Sequence, residues 1–243
     1  MKRTIVGLTL FIAGLLAGQS TVTGYQVSCP PYPDCLECAC VSPTPTPTTP
    51  GAGITIAHIS DMHAGKYSTW TYRSRVVVGV VGKADALVDT GDCTENGQYR
   101  DWKDYMDVMK ESPIPWLAVP GNHDTTWTLG KPEWFWDVGD YRLVGINTRI
   151  LDWEFIDMAL NTERLVVLFA HQPLEEFPQP WQLKKRLRLD NVIAFVSGHD
   201  HTDGLTYFED VAMISGGRVS IGSYRMIHLD GRNVTVEFLN PWS

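Results

Sequence analysis

From residue 54 onward the chain alternates between two apolar patterns. Short continuous runs read as buried strands: ITIAHIS (54–60), ADALVDT (84–90), PWLAVP (115–120), YRLVGIN (141–147), RLVVLFA (164–170) and NVIAFVS (191–197). Between them lie segments of helical spacing. Residues 70–82 carry a valine-rich side. In 98–111, Trp102, Tyr105, Met106 and Met109 fall on one face. A short helix is expected over Trp153 to Leu160 and another over WQLKKRLRL (181–189). After His201 the rhythm changes to short strands, LTYF, VAMIS, SYRMIHL and NVTVEFL, separated by Gly and Asp turns. The pattern predicts two packed sheets with helices outside, a layered α/β or α+β sandwich.

Polar residues interrupt the pattern at one kind of place. ITIAHIS runs into Asp61-Met62-His63, ADALVDT into Gly91-Asp92, and PWLAVP into Gly121-Asn122-His123-Asp124. RLVVLFA runs into His171, and NVIAFVS into Gly198-His199-Asp200-His201. Asp61 and His63, two apart on an extended segment, are expected to share a face. The carboxyl ends of strands in open α/β sheets border the binding crevice, so these five clusters should converge. Two carboxylates, four imidazoles and an amide are enough for two metal ions. Such donors suit Fe, Mn, Zn or Co, and no thiolate set competes. Gly91, Gly121 and Gly198 each precede a donor, where the backbone must turn or approach closely.

The first fifty residues have a different composition. Lys2 and Arg3 precede TIVGLTLFIAGLLAG, with Gly18 and Ser20 in the small positions before a cleavage point. Residues 1–20 are therefore expected to be a signal peptide, or an uncleaved N-terminal anchor that tethers the protein to a membrane. Either way the protein is expected to be secreted or extracytoplasmic. Residues 21–40 hold Cys29, Cys35, Cys38 and Cys40; outside the cytosol two disulfides are the default, and the spacing matches no standard zinc finger. Residues 41–53, VSPTPTPTTPGAG, read as an extended Pro/Thr linker to a domain over 54–243. Cys93 is left as a small buried filler.

With 44% hydrophobic residues and nine tryptophans the composition is globular, and the formal charge is −8. An acidic surface argues against a broad nucleic-acid-binding face. It does not exclude a small phosphate ester, because bound metal ions reverse the sign locally.

The ordered set Asp-x-His, Gly-Asp, Gly-Asn-His-Asp, His and Gly-His-x-His resembles the calcineurin-like metallophosphoesterase superfamily over about residues 54–240. The resemblance implies a four-layer metallophosphoesterase-type β-sandwich flanked by helices. It implies one metal on Asp61, His63 and His201, a second on Asn122, His171 and His199, and Asp92 bridging them. His123 would hydrogen-bond the phosphate or protonate the leaving oxygen, with Asp124 orienting it. A water between the two divalent or trivalent ions (Mn, Fe or Zn) would attack phosphorus in line. Glu95 departs from purple acid phosphatases, which carry a metal-binding Tyr there. GDCTENG and VPGNHD are similar to the branch with cyclic-nucleotide and other phosphodiesterases, so a phosphodiester is expected over a monoester.

Other features have plainer readings. His58 and His228 lack companion motifs and are expected to be core or surface residues. The aromatic stretch 125–137 either walls a pocket, with Trp127 the first candidate, or packs on the core. Arg149 and Lys184-Lys185-Arg186 could attract phosphate, though the latter run is more simply a solvated helix face. The alternative to a hydrolase is a catalytically silent scaffold that binds a partner through its aromatic surface. Loss of a donor would mark it, and every donor position is filled.

Overall fold

A computed structural model describes residues 51–243. The expected signal or anchor (1–20), the cysteine-rich segment (21–40) and most of the linker (41–53) lie outside the described residues. Two sheets are packed face to face. The first has five strands: β1 (Ile54–Ile59), β2 (Ala86–Asp89) and β3 (Trp116–Ala118) run parallel, and β10 (Tyr224–Asp230) and β11 (Asn233–Leu239) add antiparallel, in the order β11-β10-β1-β2-β3. The second has six, in the order β4-β5-β6-β7-β9-β8. Here β5 (Tyr141–Ile146), β6 (Leu165–Ala170), β7 (Val192–Ser197) and β9 (Val211–Ser215) are parallel. β4 (Trp134–Val138) and β8 (Gly204–Phe208) close the edges antiparallel.

Three apolar layers hold the sandwich. Ile56, Val88, Leu143, Phe169, Val196 and Ile227 meet between the sheets. On the outer side of the first sheet, α1 (Ser68–Val80) buries Val77 and Val78, and α2 (Tyr99–Met109) buries Trp102, Tyr105 and Met109. On the outer side of the second, α3 (Trp153–Leu160) and α4 (Pro180–Leu187) bury Ile156, Leu160, Leu183 and Leu187. This is the expected four-layer arrangement. Pro180 begins α4, where its missing N–H costs no hydrogen bond. The basic run of α4 is a surface feature: Arg186 pairs with Asp157 at 2.7 Å and lies over Trp153. Among the described residues no helix is long and apolar enough to cross a membrane.

One strand differs from the sequence reading. Residues 134–138, read there only as aromatic, form β4. Trp134, Trp136 and Val138 alternate inward, and a two-residue Gly139-Asp140 turn leads into β5. That Gly-Asp pair between apolar runs is a hairpin signal. Trp134 also ties the sheets together, because its indole N–H donates to the Ala118 carbonyl at 2.7 Å. Trp134→Phe should therefore lower the unfolding free energy by about 1–3 kcal/mol by orphaning that buried carbonyl. Trp134→Ala should lower it by about 3–5 kcal/mol. Both are read from urea unfolding; a Phe variant as stable as the parent would show that the inter-sheet hydrogen bond contributes nothing.

Candidate metal centre

All the sequence-predicted donors meet at one edge of the sandwich, beyond the carboxyl ends of β1, β2, β3, β6 and β7. They are linked donor to donor. His201 Nε2 lies 3.2 Å from Asp61 Oδ1, and His63 Nε2 lies 3.9 Å from Asp61 Oδ1 and 3.8 Å from Asp92 Oδ2. Asp92 Oδ2 lies 3.4 Å from His171 Nε2. The same nitrogen lies 2.9 Å from Asn122 Oδ1 and 3.1 Å from His199 Nδ1. Asp92 is thus the group common to two clusters, Asp61/His63/His201 and Asn122/His171/His199. His123 stands beside the first, its ring 4.7 Å from that of His63.

The backbone that achieves this is not a strand. The expectation that Asp61 and His63 share a strand face is corrected, because β1 ends at Ile59 and both residues are left-handed, with φ of 57° and 49°. Only six described non-glycine residues have positive φ, and five of them are donors: Asp61, His63, Asp92, His199 and His201. Each such residue costs roughly 1–2 kcal/mol, and strain of this kind persists only where surrounding bonds over-determine it. Here the loops lace together. Asp61 N donates to Gly91 O at 2.9 Å, His63 N to Asp92 O at 2.9 Å, and His199 N to Asp61 Oδ2 at 3.1 Å. Close approach explains two of the glycines: a Cβ on Gly121 would stand 2.1 Å from Asp92 Oδ1, and one on Gly198 would stand 1.8 Å from Ser60 Oγ.

The pocket's electrostatics favour a cation. Burial alone would raise Asp92, but the hydrogen bond and charge of His171, the His123 amide and His63 outweigh it and hold it at about 2. Asp61 is lowered in the same way: burial raises it, and His201, His171 and Ser60 more than compensate. Burial keeps His63 below its ordinary value, against the pull of Asp92 and Asp61. His171 moves the other way. Burial lowers it, yet Asp92 and Asp61 push it up to about 9. Its Nδ1 faces the Thr90 carbonyl at 2.9 Å and donates there, so Nε2 is the atom surrounded by Asn122 Oδ1, Asp92 Oδ2 and His199 Nδ1. One proton on Nε2 cannot serve three acceptors. Asp61 Oδ1 is also buried with no hydrogen bond. Acceptors facing acceptors, with a buried oxygen left over, fit a metal ion, which replaces such protons when it binds.

The groups that hold the donors were less legible. Asp124 does not orient His123, which corrects the implied role. Its carboxylate accepts from Cys93 N (3.1 Å), Thr94 N (2.9 Å), Thr94 Oγ1 (2.8 Å) and Gly121 N (2.9 Å), clamping two donor loops together. His123 instead donates from Nδ1 to the Glu95 carbonyl at 2.8 Å. The Glu95 carboxylate lies 2.9 Å from His63 Nδ1, off the line of a hydrogen bond, and 2.9 Å from Lys66 Nζ. Glu176 Oε2 meets His199 Nε2 at 3.0 Å. His58 is a core residue, as expected, but it is connected to the centre. Burial and the Arg225 charge keep it neutral, so Arg225 Nε donates to Nδ1 (3.2 Å) and His58 Nε2 donates to Thr90 Oγ1 (2.8 Å). Thr90 in turn supplies the carbonyl that orients His171. Arg225 itself is fully buried and meets Asp203 at 3.0 Å. Only its position in SYRMIHL, where the strand pattern calls for an apolar residue, could have signalled it. Trp134 and Trp136 fill the core, and Trp127 packs edge-on against Trp102 at 5.5 Å. Trp70, outside that stretch, has its ring 6.1 Å from that of His63.

Fold and site together define a class: a four-layer α/β sandwich with a two-metal type of donor cluster at the carboxyl edge of its parallel strands. The family model for calcineurin-like phosphoesterase matches residues 54–203, and the chain belongs to that family. A curated relative, a probable glycerophosphodiester phosphodiesterase GpdQ of Arcobacter nitrofigilis, is 24% identical over 57% of this chain, which spans 64% of that protein's length. Among solved structures, a purple acid phosphatase from yellow lupin seeds superposes with a TM-score of 0.60 at 14% identity, covering 79% of this chain and 52% of that one. GAP50, the anchor in the inner membrane complex of Plasmodium, gives 0.60 at 14% identity over 77% and 84%. These likenesses show the fold.

Asp89 gives a test of the pocket's charge. Burial, helped by the charges of Asp124 and Asp61 and opposed by the Gly91 amide, raises its carboxyl from 3.8 to about 8. The folded state therefore keeps a proton that the unfolded chain releases, and this group's contribution to stability falls as pH rises from about 4 to about 8. In metal-free protein, Asp89→Asn should gain stability relative to the parent steadily between pH 5 and pH 8, read as the urea midpoint with a chelator present. Parallel pH profiles would show that Asp89 is ionised in the fold.

Proposed function

We propose that the protein is a metal-dependent hydrolase of phosphoric esters that prefers diesters to monoesters. The observation that carries this reading is the convergence of seven donors, Asp61, His63, Asp92 and His171 among them buried, around an uncompensated acceptor cluster, in a chain of the calcineurin-like phosphoesterase family. The diester preference rests on the GDCTENG and VPGNHD motifs and on the likeness to a probable phosphodiesterase. We place the activity outside the cytoplasm, secreted or tethered through residues 1–20, from the pattern of that segment. Its substrate is a small phosphoester rather than a broad polyanion.

Two transition-metal ions, when bound, supply an activated water and positive charge at the phosphoryl oxygens. Asp61, His63 and His201 would hold one, Asn122, His171 and His199 the other, and Asp92 both. The chain's remaining tasks are positional. Thr90 fixes the Nδ1 proton of His171, so Nε2 is the ligating atom. Glu176 fixes His199 from its Nε2 side and leaves Nδ1 facing the cluster. With Nδ1–H committed to the Glu95 carbonyl, His123 presents Nε2 to a phosphoryl or leaving-group oxygen and can deliver a proton there.

The test compares bis-p-nitrophenyl phosphate with p-nitrophenyl phosphate in the presence of Mn²⁺. The diester should be hydrolysed with the higher kcat/KM. His123→Ala should retain its metals by elemental analysis while kcat falls about 10²–10⁴-fold. Asp92→Asn should weaken metal binding at both clusters together. Absence of turnover at full metal occupancy would overturn the hydrolase reading and leave the scaffold.

A further inference from the structure

The chemistry proposed for the donor cluster makes no use of Arg218. Arg142, Arg164, Arg186, Arg218 and Arg225 are the described arginines withdrawn from full exposure. Four of them meet a carboxylate: Asp137 for Arg142 and Arg164, Asp157 for Arg186 and Asp203 for Arg225. Arg218 meets none. Its Nε is buried and makes no hydrogen bond. A guanidinium with a buried nitrogen and no counter-ion is costly, and an acidic chain has many carboxylates that could have served.

Its position is specific. The backbone of the 216–219 loop is fixed between the donor loops, because Gly216 N donates to Ser197 O at 2.9 Å and Val219 N to Ser60 O at 2.8 Å. The guanidinium lies over the indole of Trp70, 5.1 Å from its centroid, and that indole is the ring next to His63. Lys66 also lies over Trp70, at 5.3 Å, but its charge is taken by Glu95. Trp70 belongs to the first turn of α1, a helix that starts without a capping side chain or an acid in that turn. Its free amides add partial positive charge.

We propose that Arg218, braced on Trp70, binds a second anionic group on the substrate, a carboxylate or phosphate carried by the alcohol beyond the reacting phosphorus. This inference rests on the hydrolase reading and narrows it. The reacting phosphate is already faced by the donor cluster and His123, whereas Arg218 lies against Trp70, the ring beside His63. A planar fork with free N–H groups matches a carboxylate or phosphate.

The experiment uses the full chain with Mn²⁺ and compares carboxymethyl p-nitrophenyl phosphate with methyl p-nitrophenyl phosphate, which differ by one anionic group. The parent should prefer the carboxymethyl ester in kcat/KM. Arg218→Ala should lower kcat/KM for that ester on the order of 10- to 100-fold, as expected for a charge-assisted contact, and change the methyl ester less than about threefold. Arg218→Lys should recover part of the loss. Arg218→Met keeps an apolar stem on the indole and serves if the Ala variant is unstable. Equal losses on both esters, no loss on either, or no preference in the parent would overturn the proposal. If the parent hydrolyses neither ester, the hydrolase reading fails on its own. The subsite is then decided by calorimetry with 2-phosphoglycolate and methyl phosphate. Weaker binding of 2-phosphoglycolate alone in Arg218→Met supports it, and unchanged affinities overturn it.

Discussion

Four carboxylates, Asp61, Asp89, Asp92 and Asp124, are buried at one edge of this sandwich, and compensating them is the constraint on which the rest of the site depends. They are compensated in three different ways. Asp124 stays within a ring of four donors and becomes the clamp between the 92–94 and 121 loops. Asp89 takes up a proton and accepts from Gly91, Tyr105 and, weakly, Cys93. Asp61 and Asp92 remain ionised against imidazoles. Protein groups complete the first two and leave the other two incomplete. That division separates the carboxylates that build the site from those available to a cation.

The fold makes this possible by distributing the donors over five strand ends. The parallel strands of both sheets point their carboxyl ends the same way; backbone hydrogen bonds stitch the loops beyond them within each sheet, and the Asp61 and His171 side chains carry the stitching across the sheet boundary. Left-handed residues at Asp61, His63, Asp92 and His199 are tolerated because the stitching starts at those residues themselves, and His201 is held through its side chain against Asp61. Strain and function fall on the same positions for one reason: aiming a short side chain sideways off a strand end requires an abrupt backbone turn.

Much of this was legible in the sequence, and the illegible part has a physical pattern. Strand ends followed by Asp, His or Asn located the donors, because a polar residue at the end of a buried run is costly unless a partner awaits it. The helices were visible wherever one face alone was apolar, as with Trp102, Tyr105 and Met109. Hidden were groups whose identity is ordinary and whose partner is distant. Arg225 sits 167 residues from His58, and His58 acts on His171 only through Thr90. Asp124 was assigned to the neighbouring His123 by the family resemblance alone. Its side chain instead points the other way, under the 92–94 loop. β4 escaped because three consecutive large aromatics obscure the alternation that its edge position preserves.

Glu95 shows how a departure from a family pattern can be constructive. Where a purple acid phosphatase carries a tyrosine, this chain has a residue that serves three neighbours. Its carbonyl fixes the His123 tautomer, and its carboxylate lies against His63 and neutralises Lys66. Neutralising Lys66 decides which cation at Trp70 remains available. Of the two charges over that indole, only Arg218 keeps its charge uncompensated. One side chain therefore links the geometry of the proton-carrying imidazole to the electrostatics of the site's mouth. An apolar residue at this position would leave His123 oriented through its backbone partner, but it would free a second cation beside the donors. The selectivity of the mouth would then rest on an exposed, mobile ammonium instead of a braced guanidinium.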